Sequence, residues 1–182
     1  MKIAITGSKG FIGLHLVNTL THKNKIDNTS IVYVDKEDFN SNTKLKSKFK
    51  DCEIIIHLAA VNRHNNIDFL FKENIRLTNC ILENVSKKTN LIIFASSIQQ
   101  DLKNPFGESK YKCSQLFTNW AKHNDSKFVN LKIPNIFGPF GKANYNSFVS
   151  TFCHNLILSN KSEVREGDNL DLLYIDYLID SI

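Results

Sequence analysis

Three evenly spaced glycines, in Thr6-Gly7-Ser8-Lys9-Gly10-Phe11-Ile12-Gly13, follow a short apolar run and precede an amphipathic one. That context suits phosphate chemistry. Gly7 permits a tight turn, Gly10 lets the backbone approach a pyrophosphate, and Gly13 allows a helix to pack closely on a strand. The helix N-terminus then offers an anion its positive dipole end and the amides around Phe11 and Ile12. The spacing predicts a dinucleotide site. Twenty-two residues after Gly13, Asp35 closes the next apolar run, where a carboxylate can accept hydrogen bonds from both hydroxyls of an adenosine ribose. Asp35 favours NAD, because a 2′-phosphate would meet a like charge. Lys9 and Lys36 soften that repulsion and leave NADP open.

The elements that must hold these residues alternate strand and helix. Apolar strands read at 2–6, 31–34, 53–57, 91–95 and 128–132; helical patterns run to about residue 22, near 43–50, and over roughly 67–88 and 107–123. Strands that are apolar on both faces and alternate with helices imply an α/β fold, a doubly wound, Rossmann-like parallel sheet. Ligands of such sheets bind outside the carboxyl ends of the strands, where the residues above fall. Only about eighteen residues separate Asp35 from the strand at 53, which is tight for a complete helix, strand and helix and leaves the third strand vestigial or missing.

Composition narrows the function classes. A chain of 182 residues with 42% hydrophobic and 23% charged residues suffices for a domain with a real core. The N-terminus runs straight into a strand and no long apolar run exists, so a cytoplasmic protein without a membrane partner is expected. Cys52, Cys80, Cys113 and Cys153 form no CxxC pair and read as reduced core residues, and the histidines lack ligand spacing, so no metal is expected. The net charge of +5 and the cluster Lys44, Lys46, Lys48 and Lys50 could suggest nucleic acid. Spacing of two scatters those lysines around a helix, so a solvated face is the better reading and no nucleic-acid partner is expected.

The segment Asn104-Pro105-Phe106-Gly107-Glu108-Ser109-Lys110 resembles the Pro-Tyr-Gly-x-Ser-Lys stretch of the extended short-chain dehydrogenase/reductases, the NAD-dependent epimerase/dehydratase family. In that family the tyrosine and lysine share one helix face. The lysine holds the nicotinamide ribose and lowers the phenol's pKa, while a serine or threonine after the preceding strand polarises the substrate carbonyl. Lys110 matches the lysine and Ser97 the hydroxyl, but Phe106 occupies the tyrosine position. Phenylalanine keeps the ring and loses the proton, and a missing general acid typically costs about 10²- to 10⁴-fold in rate. Tyr111, five residues on, points away from that face.

The resemblance implies further site residues. His57-Leu58-Ala59-Ala60 is similar to the HLAA segment whose backbone lines the cofactor cleft at Leu58, Ala59 and Ala60, with the two alanines small enough for close approach and His57 a packed strand residue. Asn74 is similar to the asparagine of the N-x-x-G-T-x-N helix, and Pro134 and Asn135 lie in a stretch similar to R-x-x-N-x-Y-G-P. Within the superfamily the likeness is closer to the CapF-type bifunctional UDP-sugar reductases of capsule biosynthesis. It implies reduction of the 4-keto group of a UDP-2-acetamido-2,6-dideoxy sugar, with Arg63, Gln99, Asn135, Asn144, Tyr145 and Asn146 on the sugar-nucleotide side and the substrate-binding part starting near residue 134. CapF-type enzymes use NADPH, against the preference of Asp35. The alternative is a retired cofactor-binding protein, or a fragment of such an enzyme. Family members commonly dimerise through helices equivalent to 67–88 and 107–123, where Phe117 and Trp120 suit such an interface and core packing equally well.

Overall fold

A computed structural model describes residues 1–22, 29–161 and 169–182. The chain divides into two compact units, Met1–Lys132 and Ile133–Ile182. The first contains β1 (Lys2–Thr6), α1 (Phe11–His22), β2 (Ser30–Val34), α2 (Asn42–Phe49), β3 (Ile54–His57), α3 (Ile67–Asn84), β4 (Leu91–Ala95), α4 (Pro105–His123) and β5 (Lys127–Leu131). Its five strands are all parallel, in the order β2-β1-β3-β4-β5. This is the Rossmann-like sheet expected from the apolar runs.

Side-chain alternation along the strands makes two buried faces. Ala4, Ile55, Ile92 and Phe94 point to a core shared with Leu45 and Phe49 of α2, Leu77 and Ile81 of α3, and Phe117 of α4. Ile3, Ile5, Ile56 and Ile93 are buried on the other face, as is Leu16 of α1. Right-handed crossovers give this arrangement, because the step from β1 to β2 and the step from β2 to β3 run in opposite directions across the sheet. That reversal opens a crevice between the carboxyl ends of β1 and β3. Between β2 and β3 lie only a 3₁₀ turn (Lys36–Asn40) and α2, so the third strand is missing and β2 is an edge.

Three expectations shift. The helix expected from 107 begins at Pro105, because the Asn104 side chain accepts from the Gly107 amide at 2.9 Å and proline suits a first helical position. The helix expected to reach 88 stops at Asn84, since Val85 turns extended and the Ser86 hydroxyl accepts from the Lys88 amide. Cys153, expected in a core, is exposed, whereas Cys52 and Cys113 are buried as expected and Cys80 is partly buried against the core. Phe117 is wholly buried in the core, with Trp120 packed against it.

The second unit holds β6 (Asn135–Phe137) paired in parallel with β7 (Leu172–Tyr174), together with α5 (Phe148–Ile157) and α6 (Ile175–Asp180). Ile175, Leu178 and Ile179 of α6 are buried, whereas α5 has no buried residue.

Candidate active site

The glycine turn is built as an anion cradle. Gly7 takes φ +70°, and a Cβ there would lie 2.7 Å from the Ala59 nitrogen. The turn closes with Gly10 N–H donating to Gly7 O at 3.0 Å, and the first helical bond, from Leu14 N–H to Gly10 O, follows at 2.8 Å. The amides of Phe11, Ile12 and Gly13 precede that bond and are the unspent donors of the helix start. No acidic residue occupies the first turn of α1 to compete for them. A Cβ at Gly13 would overlap Gly7 O and approach the Ser8 Cα to 2.6 Å, so only glycine lets the helix start this close to the turn. These features fit a pyrophosphate.

Neighbouring strand ends complete the cradle. At the end of β2, Asp35 Oδ2 lies 3.1 Å from Lys9 Nζ. Lys36 is exposed, and its charge acts on Glu73 of α3. At the end of β3, the Thr6 hydroxyl accepts from the Leu58 and Ala59 amides at 3.2 Å each and lies 2.8 Å from His57 Nδ1. Its oxygen being spent on two amides, its proton goes to Nδ1, which leaves the His57 hydrogen on Nε2. His57 is buried and stacked on Phe94. Burial, then the nearby charge of Lys110, pushes its pKa down to about 3. It stays neutral and is a packed strand residue, as its place in the sequence suggested.

Asn74 is buried and fully engaged. Its Oδ1 accepts from Val61 N–H at 2.8 Å, and its Nδ2 donates to Val61 O and to Ser109 Oγ at 3.1 Å each. It pins the segment after Ala60 to α3 and α4. The loop that follows leaves Arg63 exposed.

The end of β4 places both Lys110 and Ser97. Lys110 is 4% exposed, and its ammonium donates to Ala95 O at 2.7 Å, two residues before Ser97. It lies 4.6 Å from the Phe94 ring centroid and 5.7 Å from that of Phe106, one helical turn back on the same face. Burial lowers its pKa to about 8. Ser97 caps the 3₁₀ turn Ile98–Asp101 by accepting from Gln99 N–H at 3.2 Å, which leaves its own proton to donate. The Gln99 side chain is exposed.

Four contributors escaped the sequence reading. A Cβ at Gly107 would overlap Gln99 O, so this glycine lets the Ser97 turn lie against the start of α4. Ser109 donates to Phe106 O at 2.7 Å while accepting from Asn74. Thr6 anchors the Leu58–Ala59 backbone. Beneath Ser97, Ser96 donates to Gln100 Oε1 at 2.6 Å, which also accepts from Asn130 Nδ2 at 3.1 Å. Of these, Gly107 and Thr6 carried a local signal, a glycine inside a helical pattern and a hydroxyl ending an apolar strand. Ser109 and the Ser96–Gln100–Asn130 group depend on distant partners.

The remaining candidates lie in the second unit. Asn135 N–H donates to Asp171 O at 3.2 Å in the β6–β7 region, just after Pro134. Asn144 has φ +56° and its N–H donates to Thr151 Oγ1 at 2.9 Å. Tyr145 and Asn146 are exposed, with Lys142 Nζ 5.7 Å from the Tyr145 ring centroid.

The chain is 30% identical over 182 aligned residues, 98% of its length, to the UDP-2-acetamido-2,6-beta-L-arabino-hexul-4-ose reductase of Pseudomonas aeruginosa, of which it covers 48%. The crystal structure of capsular polysaccharide assembling protein CapF from Staphylococcus aureus matches 99% of the chain and 47% of its own length, with TM-score 0.75 and 30% identity. The chain thus spans about half the length of these two relatives. The same fold occurs, at 21% identity and TM-score 0.82 over 98% of this chain and 71% of the other, in a tyrosine-to-phenylalanine mutant of UDP-glucuronic acid 4-epimerase from Bacillus cereus, solved with NAD and UDP-4-deoxy-4-fluoro-glucuronic acid. A profile of one family matches residues 3–180, and by that match the chain belongs to the NAD dependent epimerase/dehydratase family.

Proposed function

We propose that this chain is the cofactor-binding part of a nucleotide-sugar oxidoreductase or epimerase, which reduces the 4-keto group of a UDP-linked 6-deoxy amino sugar for surface polysaccharide synthesis in the cytoplasm. One observation carries the reading: Ala95 at the end of β4 holds the buried Lys110, and Ser97 follows two residues on, in a chain 30% identical to a UDP-sugar 4-ulose reductase. A nicotinamide cofactor held there would supply the hydride. Gly7, Gly10 and Gly13 shape the pyrophosphate turn, and Phe11 and Ile12 give it their amides. Leu58, Ala59 and Ala60 wall the cleft, Asn74 fixes that wall, and Asp35 takes the adenosine ribose. Ser97 donates a hydrogen bond to the substrate carbonyl and so polarises it. Phe106 supplies only ring surface, so the proton that balances the hydride comes from water, directly or relayed through a substrate hydroxyl that water reprotonates. Arg63, Gln99, Pro134, Asn135, Asn144, Tyr145 and Asn146 are assigned to the nicotinamide and sugar-nucleotide side, and α3 and α4 to a homodimer.

Phe106 favours a second reading, a retired scaffold that binds the cofactor without turning it over. The deciding experiment supplies the purified chain with a UDP-linked 4-keto-6-deoxy sugar and follows NADH and NADPH consumption beside direct binding. Turnover supports the reductase, binding alone supports the retired scaffold, and a folded chain that binds neither cofactor defeats both.

A further inference from the structure

α5 of the second unit is turned the wrong way round for a surface helix. Its small polar residues face its own loop: Thr151 Oγ1 accepts from Asn144 N–H at 2.9 Å and donates to Ser147 O at 2.8 Å, and a Cβ at Gly141 would overlap the Ser150 hydroxyl. Thr151 and Asn155 are half-buried, whereas Leu156 and Ile157 are 60% and 81% exposed and Cys153 is exposed. Val149, Cys153 and Ile157 recur every four residues, with Leu156 beside them, so they share one stripe of the helix. A contiguous apolar stripe on a surface marks a contact to be made.

Charge selects the occupant. α5 carries no Lys, Arg, Asp or Glu, and its one titratable side chain besides the Cys153 thiol is His154. A helix that lies on a lipid surface carries cations along its polar side, and a charged partner would find nothing here to pair with. An identical neutral stripe meets no like-charge repulsion. The stripe also matches itself: with two α5 helices antiparallel about a two-fold axis, Val149 of one faces Ile157 of the other, and Cys153 faces its own counterpart. We infer that α5 is a self-association face, on which a second copy of this chain seats its own α5 antiparallel. A helix of 10 residues offers only a few hundred Å², against about 800 Å² per partner in a stable complex, so the contact is weak and reversible. It is independent of the cofactor site and of the α3 and α4 contact, and doubles whatever assembly those helices build.

Analytical ultracentrifugation of the whole chain tests this. The mass per particle is expected to double between about 1 μM and about 500 μM, the range of a weak interface. At the upper concentration a short bismaleimide should join two chains through the exposed Cys153, and Cys153→Ser should abolish that link. Ile157→Lys alters a side chain that is 81% exposed and so leaves the fold intact, as circular dichroism would confirm; it should weaken the doubling by about tenfold or more, the scale of one lost apolar anchor, while Ile157→Leu retains it. A wild-type mass that does not change with concentration, or a doubling that survives Ile157→Lys, overturns the inference. A chain of constant mass that floats with phosphatidylcholine vesicles also overturns it, and gives the face to a lipid surface.

Discussion

Phe106 and Lys110 pose the chemical question at the scale of single residues. They share a helix face, and Lys110 Nζ lies 5.7 Å from the Phe106 ring centroid, so a hydroxyl on that ring would sit in the field of the ammonium. Phe106→Tyr should therefore raise the 4-keto sugar reduction rate by about 10²- to 10⁴-fold, measured as NADH or NADPH consumption. No gain in a cofactor-binding sample would mean that something other than the general acid limits the site. Lys110 carries a cost of its own. Burial holds its pKa near 8 rather than at the ordinary lysine value, so below pH 8 the folded chain carries a charge that the unfolded chain hydrates more cheaply. Lys110→Met should be more stable than wild type at pH 7, and the gap should shrink by about 3 kcal/mol as pH rises from 8 to above 10.5, where both states of the wild type lose the proton. Paired urea titrations at pH 7 and pH 10 measure the change; a gap independent of pH would contradict it. The four-residue spacing of this pair was legible in the sequence. The burial of the ammonium against Ala95 O was not, because it depends on where β4 ends relative to α4.

At the scale of elements, strands were easier to read than helix ends. All five strands of the main sheet were legible because each carries a short apolar run, with the central β1, β3 and β4 buried on both faces and the edge strands β2 and β5 only partly covered. Helix limits turn on caps, and Asn104 with Pro105 formed an N-terminal signal that the expected start at 107 passed over. Gly107 shows why part of the site stayed hidden. Its lack of a side chain looks like a weak point in a helix, and the Gln99 carbonyl that explains it comes from a different element. Gly107→Ala should destabilise the chain by about 1–3 kcal/mol through overpacking, and displace the Ser97 turn, so that activity or cofactor-linked signals fall together with stability. Asn104→Ala, which removes only the cap, should cost about 1 kcal/mol and leave the turn in place. Thermal or urea unfolding of the two variants separates the effects, and a neutral Gly107→Ala would show that α4 can back away from Gln99 freely.

For the molecule as a whole, α5 marks the limit of pattern reading. Phe148, Phe152, Leu156 and Ile157 look like core, yet Ile157 is 81% exposed and α5 has no buried residue. Apolar content says that a face wants cover, and only neighbours decide whether it has any. The main sheet is the opposite case, since a single buried histidine ties its centre to global stability. His57 joins β1 to β3 through Thr6, stacks on Phe94 and meets Phe117 edge-on, within the core that supports the cleft. Its folded pKa is near 3, against an ordinary value of 6.5. Above pH 6.5 it is neutral in both states and adds no pH dependence. As pH falls from 6.5 toward 3, the unfolded chain takes a proton that the folded chain refuses, and stability drops by up to about 5 kcal/mol, comparable to the whole stability of a marginal domain. Asp38 and Glu73, whose pKa values lie below the ordinary carboxylate range, add losses of their own at lower pH, so the histidine is isolated by difference. His57→Gln keeps an acceptor for the Thr6 hydroxyl and removes the titrating ring. It should start less stable than wild type at pH 7.5 and lose stability more slowly between pH 6.5 and 4.5. Urea unfolding at those three pH values tests this, and parallel slopes for the two proteins would mean that the folded core admits the proton.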